Sequence, residues 1–333
     1  MPIRVLVTGG AGYIGSHTVK RLAREEFEPV VLDDFRSGHR WAAKWGTLAE
    51  GKLEDSGFLQ RVFAENQPEA VIHFAADIQV GESVANPAKY FWNNCVNTLR
   101  LLDAMREAGV KHIVFSSSAA IYGYPDVVPI PEDHPARPVS PYGESKLFME
   151  KALRWYGAAY GINWVALRYF NACGADPEGD LGERHDPESH LIPLAIAAAQ
   201  GKREHVEIYG TDYDTPDGTA VRDYIHVTDL ASAHIMAVEY LLDGGESRAL
   251  NLGTGQGRSV REVIDAIAQT SGLRPPCRNA PRREGDPPSL VADPTLARKV
   301  LRWEAKHSIL DEIIQTAWNW HSSHAADSDR PVF

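Results

Sequence analysis

Short runs of β-branched and apolar residues alternate with longer amphipathic stretches through the first half of the chain. The short runs predict strands at Ile3–Thr8, Pro29–Leu32, Ala70–Phe74, His112–Ser116 and Asn163–Leu167. The stretches between them predict helices at about Ser16–Glu25, Gly57–Asn66, Tyr90–Ala108 and Pro141–Tyr160. Each helix is long enough to cross one face of a sheet, as in βαβ units. The pattern therefore predicts an α/β fold with a doubly wound parallel sheet.

The pattern changes after Asn171, where stretches rich in Gly, Asp and Pro predict binding loops at Gly174–Ser189 and Gly210–Thr219. Helical periodicity returns at about Val227–Leu242, Val260–Ser271 and Ile309–His321, with a short strand at Leu250–Leu252. We expect a nucleotide-binding domain over residues 1–171, to which residues 221–255 return, and a smaller C-terminal substrate-binding lobe from residues 172–220 and 256–322. The polar residues 323–333 are expected to form a flexible tail.

Composition narrows the function to small-molecule chemistry. The net charge is -11 and no long Lys/Arg run occurs, which argues against a nucleic-acid partner. No apolar run reaches the roughly 18 residues of a membrane span, and no secretory leader begins the chain, so we expect a cytoplasmic protein. Cys95, Cys173 and Cys277 are too widely spaced for a CxxC motif, and no metal centre is expected.

A glycine-rich turn, Thr8 to Gly15, follows the first predicted strand and opens the first helix. Glycines at this place let the backbone approach a pyrophosphate at the positive end of the helix, as in a Rossmann-type domain. The cofactor-binding candidates in the turn are Gly9, Gly12, Tyr13, Ile14 and Gly15. Asp33, at the end of the second predicted strand, is placed to accept hydrogen bonds from an adenosine ribose.

The adjacent acid Asp34 adds a second negative charge, and the two carboxylates would repel a 2′-phosphate. We therefore expect NAD rather than NADP as the cofactor. The nearby basic residues Arg36, His39 and Arg40 would instead attract a 2′-phosphate.

Ser118, Tyr142 and Lys146 form a candidate catalytic set. Ser118 closes the serine run after a predicted strand, and Tyr142 and Lys146 have the YxxxK spacing at the start of a predicted helix. At this spacing both side chains leave one helix face, so one ammonium can act on the phenol and reach a cofactor ribose. Ser140 as N-cap and Pro141 at the first helical position put Tyr142 in the first turn, where the dipole favours a phenolate.

We expect Tyr142 to act as a general base near neutral pH, with Ser118 bonded to the same substrate hydroxyl. Lowering a tyrosine pKa from about 10 to about 7 takes roughly 4 kcal/mol of preferential stabilisation of the anion. Lys146, the helix terminus and a nicotinamide cation are the groups expected to supply it.

Together these motifs resemble the extended short-chain dehydrogenase/reductase family and, within it, the nucleotide-sugar 4-epimerases. The further segments that carry the resemblance are His73 to Ala76, Val80 to Ser83, Arg168 to Asn171, Val221 to His226 and Arg282 to Asp286. The resemblance implies that NAD stays bound while Tyr142 takes the proton of the sugar 4-hydroxyl and the C4 hydride passes to nicotinamide. The 4-keto sugar then turns over and regains the hydride on its other face, which converts UDP-galactose to UDP-glucose.

The same resemblance implies further site residues and a homodimer. The cofactor site would include Phe74, Ala75, Asn93 and Tyr169 beside Tyr142 and Lys146. The UDP-sugar site would include Asn171, His190, Leu191, Tyr209, Arg222, Arg283 and Asp286 beside Ser118. The arginines also suit a diphosphate on physical grounds, because a doubly charged ligand of an acidic protein needs local cations with fork geometry. The dimer contact would use the helices at Tyr90–Ala108 and Pro141–Tyr160.

Four positions depart from the pattern of the better-known bacterial members. Lys52 stands where an aspartate usually contacts adenine, and Ile78 replaces a lysine near the cofactor. His190 stands where many relatives carry an asparagine beside the sugar nucleotide. Leu290 occupies the place of a bulkier tyrosine, so the pocket is expected to admit N-acetylated sugars.

Several alternatives stay open from the sequence. A 4-epimerase acting on UDP-GlcNAc and UDP-GalNAc, or on UDP-xylose and UDP-arabinose, would use the same catalytic residues. A 4,6-dehydratase is disfavoured because Ala119 and Ala120 stand where an Asp-Glu pair is usual. A nucleotide-binding module without catalysis is the alternative from a different class, and the joint presence of Ser118, Tyr142 and Lys146 argues against it.

Overall fold

The computed structural model describes residues 2–283 and 285–323. Its strands are β1 (Ile3–Thr8), β2 (Phe27–Asp33), β3 (Thr47–Glu50), β4 (Ala70–His73), β5 (His112–Ser118), β6 (Asn163–Tyr169), β7 (Asn171–Cys173), β8 (Val206–Tyr209), β9 (Val221–Arg222), β10 (Tyr224–His226), β11 (Arg248–Leu252), β12 (Arg258–Ser259), β13 (Cys277–Ala280) and β14 (Ser289–Leu290). Its α-helices are α1 (Tyr13–Leu22), α2 (Ser56–Asn66), α3 (Val80–Ala85), α4 (Pro87–Tyr90), α5 (Asn97–Ala108), α6 (Pro141–Tyr160), α7 (Leu191–Ala199), α8 (Val227–Leu242), α9 (Val260–Ser271), α10 (Thr295–Leu301) and α11 (Leu310–Ser323).

Seven strands form the central sheet in the order β11-β6-β5-β4-β1-β2-β3. All neighbours pair in parallel, and β5 and β6 share the longest register, from His112 opposite Asn163 to Ser118 opposite Tyr169. The chain order reverses between β1 and β4, and open sheets of this kind bind ligands beyond the strand carboxyl ends at that place. The predicted Rossmann-type α/β class is confirmed.

Apolar helix faces cover both sides of this sheet. On one side Val19 and Leu22 of α1 and Leu230 of α8 pack against strand residues such as Val5 and Val7. The opposite side is covered by apolar side chains of α2, α5 and α6. Because both faces are covered, the central strands are buried runs of Val, Ile and Leu rather than alternating ones.

A second core joins α7, α9 and α11 through side chains such as Ile196, Ile267 and Ile313. The small sheets beside it are β13-β8, β12-β9-β14 and β10-β7. Helix α10 lies within residues 256–322, yet its Ala297 and Leu301 pack in the core of the large sheet.

The long elements were predicted well and the short ones were not. The helix expected at Tyr90–Ala108 is interrupted, since residues Phe91–Val96 form a π-helical turn between α4 and α5. Helix α7 was missed because its sequence is apolar at nearly every position and shows no amphipathic period. Within the described residues no helix is long and apolar enough to cross a membrane. Residues 324–333 of the expected tail lie outside the described part of the chain, while Ser323 ends α11.

Candidate active site

The glycine turn packs too tightly for side chains. A Cβ atom on Gly9, whose φ is +70°, would lie 2.8 Å from the backbone nitrogen of Ala75, and one on Gly15 would lie 2.1 Å from the Gly9 oxygen. Gly12 is the N-cap of α1, and neither a capping side chain nor an acidic residue occupies the first turn. The helix therefore presents free amide groups and the positive end of its dipole at the sheet edge, as an anion site requires. Tyr13 and Ile14 form the first turn, and the Tyr13 hydroxyl donates to the Gly174 oxygen at 2.6 Å.

Asp33 lies against this turn at the end of β2. Its carboxylate accepts from the Ala11 amide and from the Phe35 amide, each at 2.9 Å. Burial raises the pKa of Asp33, and these two hydrogen bonds act to lower it. Asp34 is exposed and accepts from the Arg36 amide at 3.0 Å.

The cations near these acids have other partners. Arg36 pairs with Asp77 at 3.1 Å, and Arg40 pairs with Glu50. His39 is bonded to the Arg184 oxygen at 2.9 Å. The local charge therefore remains unfavourable for a 2′-phosphate, in agreement with the prediction of NAD over NADP.

Phe74 and Ala75 continue from β4 along the edge of the turn. Both amides donate to the Thr8 oxygen, at 3.0 and 3.2 Å. This pairing holds the half-buried Phe74 and Ala75 side by side with the glycines, where the cofactor is expected.

Helix α6 begins as the sequence predicts. Ser140 is its N-cap, and the hydroxyl accepts from the Gly143 amide at 3.1 Å. The Tyr142 amide donates to the Ser83 hydroxyl of α3 at 3.2 Å. A Cβ on Gly143 would lie 2.6 Å from the Ala120 oxygen, so this turn of α6 sits directly on the segment after β5. These contacts fix Tyr142 beside Ser118.

Ser118, Tyr142, Lys146 and the neighbouring Ser116 are called here the catalytic wall. Lys146 is 2% exposed, and its ammonium donates to the Ser116 oxygen at 2.8 Å. The same ammonium lies 5.8 Å from the centre of the Tyr142 ring. The Ser116 hydroxyl is bonded to the hydroxyl of Tyr169, which lies at the end of β6. The structure thus brings the three predicted catalytic side chains and Tyr169 to one sheet edge.

In the protein chain by itself the pKa of Tyr142 is not lowered, so the predicted phenolate depends on the nicotinamide cation. Burial raises the pKa of Tyr142, and the hydrogen bond with Ser118 lowers it by less. Burial also lowers the pKa of Lys146 to about 8, and no carboxylate of the described residues compensates the buried charge. Among residues 2–283 and 285–323 Lys146 forms no ion pair. The phenolate therefore needs further positive charge at the wall.

Asn93 lies in the π-helical turn, a feature often found at functional sites. Its side chain contacts Asn94 at 3.4 Å and Asn97 at 3.2 Å. The sequence analysis missed Asn94, which is buried and donates to the Ser145 hydroxyl of α6 at 3.1 Å. Because Asn94 also exchanges hydrogen bonds with the Asp77 backbone, it ties α6 to the segment after β4.

A buried ion pair behind the wall was also missed. Glu150 of α6 accepts from Arg168 of β6 through both oxygens, at 2.9 and 2.6 Å. The Ser117 hydroxyl donates to the same carboxylate at 2.5 Å. Glu150 lies one helical turn beyond Lys146, but an isolated acid at that place gives no sequence signal.

The expected sugar-nucleotide residues meet on short strands beside the wall. Arg222 pairs with Asp286, although the two lie far apart in sequence. Strand β14 pairs in parallel with β9 and sets Leu290 opposite Arg222. Asn171 begins β7, and its amide donates to the Asp223 oxygen at 3.1 Å. Leu290 also packs against the buried cluster formed by Ala119, Ile121, Tyr122 and Ile130, which begins directly after Ser118.

Arg283 and Tyr209 form a second contact of this region. The Arg283 guanidinium lies 3.8 Å from the centre of the Tyr209 ring, a cation–π geometry. The exposed Arg283 follows Arg282, which pairs with Asp212 at 2.8 Å. Arg222, Asp286, Arg283 and Tyr209 are called here the arginine strip.

His190 is the N-cap residue of α7 and Leu191 the first helical residue. The His190 ring is turned toward Glu183, with Nδ1 2.5 Å from Oε1. His190 makes no capping side-chain hydrogen bond and no acid occupies the first turn of α7, while the His190 amide donates to the Glu188 carboxylate at 2.9 Å.

The two remaining departures lie at the cofactor side. Lys52 follows β3, is exposed and pairs with Glu54 at 3.4 Å. Ile78 precedes α3 and is 42% exposed. Neither makes a described contact with the glycine turn.

The residues present fit a dinucleotide. The glycine turn has no room for side chains, the first turn of α1 keeps free amides, and a buried ammonium without a carboxylate partner faces the same sheet edge. Each of these features lowers the cost of placing an anionic, hydroxyl-rich ligand there.

Known proteins are similar to this chain in sequence and in fold. Residues 5–253 match the family described as "NAD dependent epimerase/dehydratase family". A UDP-glucose 4-epimerase of Rhizobium meliloti (strain 1021) is 54% identical over 318 residues, which cover 96% of this chain and 97% of that relative.

Two solved structures extend the comparison. The UDP-glucose 4-epimerase from Brucella ovis in complex with NAD has a TM-score of 0.94 and 51% identity, covering 95% of this chain and 98% of its own. The UDP-glucose-4-epimerase from Stenotrophomonas maltophila, with bound NAD and formylated UDP-arabinopyranose, has a TM-score of 0.95 and 39% identity, covering 98% of this chain and 99% of its own.

Proposed function

The chain belongs to the NAD dependent epimerase/dehydratase family, and from that membership we infer that it catalyses epimerisation at C4 of a UDP-sugar, with UDP-galactose and UDP-glucose as the substrate pair. It is an isomerase with NAD as its cofactor. The observation that carries this function is the catalytic wall, in which Ser118, Tyr142 and Lys146 meet at the carboxyl end of β5 beside the glycine turn.

Tyr142 is the general base for the sugar 4-hydroxyl, and Ser118 holds the same hydroxyl by a hydrogen bond. When bound, NAD takes up the C4 hydride and returns it to the other face of the 4-keto sugar, and its cationic form favours a phenolate nearby. Lys146 stabilises that phenolate and binds a ribose hydroxyl of the cofactor, since its ammonium is buried and its only described acceptor is the Ser116 oxygen. On the return step Tyr142 gives the proton back, so no net oxidation results.

Substrate binding falls to the arginine strip and the amides at α7. Arg222 and Arg283 supply cations for the diphosphate, while Asn171 and Leu191 hold the sugar nucleotide between the wall and the lobe. Asp33 and Asp34 select NAD by accepting ribose hydroxyls and repelling a 2′-phosphate. Phe74, Ala75, Asn93 and Tyr169 complete the cofactor site.

Sugar selectivity depends on Leu290, which packs against the cluster after Ser118 and lies opposite Arg222 in the strand register. A leucine at this place leaves more room than a tyrosine, which favours the additional use of UDP-GlcNAc. The pentose pair remains the second candidate substrate. A 4,6-dehydratase is disfavoured because residues Ala119–Ile121 form a turn without acid or base side chains.

A homodimer is part of the proposal. Phe148 and Trp155 of α6 lie on one helix face and are 47% and 73% exposed, and Trp92 beside α6 is 64% exposed. A second copy would cover these apolar side chains. Sedimentation at micromolar concentration should give twice the 36.8 kDa chain mass. Trp155→Glu should shift it to the monomer, and a wild-type monomer would contradict the dimer.

The decisive experiment incubates the purified protein, without added NAD, with UDP-galactose, UDP-GlcNAc and UDP-xylose in turn. Conversion of UDP-galactose to its C4 epimer is the expected result, and it would establish the reaction and the retained cofactor together. The relative rates would rank the three sugars. No conversion of any sugar, even after NAD is added, would contradict the proposed function.

A further inference from the structure

Four metal-ligand side chains converge in the loop before α7, away from the catalytic wall. They are Glu183, His185, Glu188 and His190, and one ligand atom of each lies within 4.8 Å of all the others. Glu183 is 4% exposed, His185 and Glu188 are partly buried, and the side chain of His190 is 43% exposed. We propose that this cluster binds a divalent transition-metal ion, with Zn²⁺ as the best match, which fixes the loop against α7.

The ligand atoms have nearly the spacing that zinc needs. His185 Nδ1 lies 3.3 Å from Glu183 Oε1 and 3.6 Å from Glu188 Oε2, and His190 Nδ1 lies 3.6 Å from Glu188 Oε1. Tetrahedral zinc bonds of about 2.0–2.1 Å place neighbouring ligand atoms roughly 3.3–3.4 Å apart. Among these four contacts, the 2.5 Å contact of His190 Nδ1 with Glu183 Oε1 must open by about 0.8 Å.

The donor chemistry favours a borderline metal. Two imidazoles and two carboxylates suit zinc and its transition-metal neighbours, whereas calcium and magnesium prefer oxygen ligands throughout. The His185 Nδ1 atom is buried and faces the carboxylates of Glu183 and Glu188 at 3.3 and 3.6 Å without a well-formed hydrogen bond, so zinc would displace the imidazole proton and take the place of these ion pairs.

Residues around the cluster hold it in place. The backbone oxygen of Glu183 accepts from the Trp320 indole at 3.1 Å. The Glu188 carboxylate accepts from the amides of Ser189 and His190 at 2.7 and 2.9 Å. The ring of His185 lies 6.3 Å from that of Tyr13, whose helix opens at the glycine turn. A bound metal would therefore tie Leu191 and the α7 amides to the cofactor side. Four protein ligands leave no open position, so the role is structural.

An acidic cluster nearby provides a contrast. Asp176, Glu178 and Asp180 also converge, but the Lys20 ammonium already lies among them at 2.6, 3.1 and 2.9 Å. That cluster is neutralised by the chain itself. The sequence prediction of no metal rested on cysteine spacing, whereas this site uses histidine and glutamate.

The test measures zinc binding by protein freed of metal with a chelator, using competition with a chromophoric chelator and thermal melting. We expect one equivalent of zinc and a rise in Tm of about 5 °C at saturating zinc. The double variant His185→Gln/His190→Gln should lose more than about a hundredfold in zinc affinity. Glu188→Gln, a milder change, should weaken zinc binding while leaving the Tm without zinc unaltered.

His307→Gln is the matched control, because His307 pairs with Glu312 at 2.7 Å outside any described cluster. It should bind zinc as the wild type does. Zinc affinity that is absent in the wild type, or equal in the wild type and both cluster variants, would overturn the proposal. If His307→Gln lowers the zinc affinity as much as the double variant does, zinc binds to histidines in general and not to this cluster. That result would also overturn the proposal.

Discussion

On the cofactor side of the site, the Lys146 ammonium is buried and donates to a single backbone oxygen, at 2.8 Å. On the sugar-nucleotide side, Arg222 already pairs with Asp286 and Arg283 already stacks on Tyr209. The catalytic wall therefore holds a charge that has no counter-ion among the described residues, at a cost in stability. In the arginine strip, Asp286 neutralises the charge of Arg222, and the Tyr209 ring holds the Arg283 guanidinium by a cation–π contact. A bound ligand supplies partners that the wall lacks, whereas at the strip it must compete with contacts that Arg222 and Arg283 already make. Substitutions in the wall should therefore mainly lower kcat, and substitutions in the strip should mainly raise KM.

The largest effect is expected from Tyr142→Phe, which keeps the ring and removes the group that moves the proton. General acid–base catalysis contributes about 10²–10⁴-fold, and kcat should fall by about a thousandfold with little change in KM. Tyr156→Phe on the same helix, where the hydroxyl contacts Asp103 at 3.2 Å, should keep wild-type kinetics. Measuring kcat and KM for both variants checks this, and a mainly raised KM for Tyr142→Phe would place the tyrosine in binding rather than chemistry.

Lys146→Met should lower kcat by about a hundredfold and yet stabilise the NAD-free protein at neutral pH. The folded pKa of about 8 lies below the ordinary 10.5, so the unfolded chain binds more protons between those values. Lys146 therefore costs stability below pH 8, and the cost fades as pH rises toward 10.5. Removing it should raise the unfolding free energy at pH 7 by up to about 3 kcal/mol, less about 1 kcal/mol for the lost bond to Ser116.

Urea unfolding of wild type and Lys146→Met at pH 7, 8 and 9.5 measures this difference. The advantage of the variant should shrink at the highest pH. Lys151→Met, an exposed position of the same helix, provides the control and should show no such slope. A variant less stable than wild type at pH 7 would mean that the ammonium is compensated in the fold, contrary to the description of the wall.

The same contrast explains what the sequence predicted and what it did not. Ser118, Tyr142, Lys146 and the glycine turn were predictable because their chemistry depends on spacing within one element or at one strand end. The extent to which burial opposes ionisation of Tyr142 was not predictable. Burial is a tertiary property that no local pattern reports.

Contacts between distant segments were likewise invisible in the sequence. The Arg222–Asp286 pair depends on β9 and β14 lying side by side, and both strands are two residues long. The Glu150–Arg168 pair and Asn94 depend on how α6 packs on its neighbours. For the arginine strip, the sequence by itself indicated only that arginines suit a diphosphate. The positions of these arginines came from the resemblance to a family.

At the strip, Arg222→Lys should raise KM by about tenfold or more with a smaller change in kcat. A lysine keeps the charge but loses the fork that binds Asp286 and a phosphate together. Arg283→Lys should raise KM by only about threefold, since the exposed Arg283 is held by one ring contact. Arg282→Lys is the control, because Arg282 pairs with Asp212 outside the proposed site. Steady-state kinetics with UDP-galactose measures all three variants. A fall in kcat without a change in KM for Arg222→Lys would contradict the proposed difference between the strip and the catalytic wall.

The smallest effect, Leu290→Tyr, tests where the two regions meet. Leu290 lies opposite Arg222 of the strip and packs against the buried cluster that follows Ser118 of the wall, so we expect a larger ring there to narrow the space for the hexose. Overpacking of this kind costs about 1 kcal/mol, and turnover of UDP-GlcNAc should fall about fivefold more than that of UDP-glucose. Leu290→Met, which nearly conserves volume, should leave the ratio unchanged. Competition between the two sugars in one reaction measures the ratio directly. An equal loss for both substrates would mean that residue 290 supports the strip without bounding the sugar pocket.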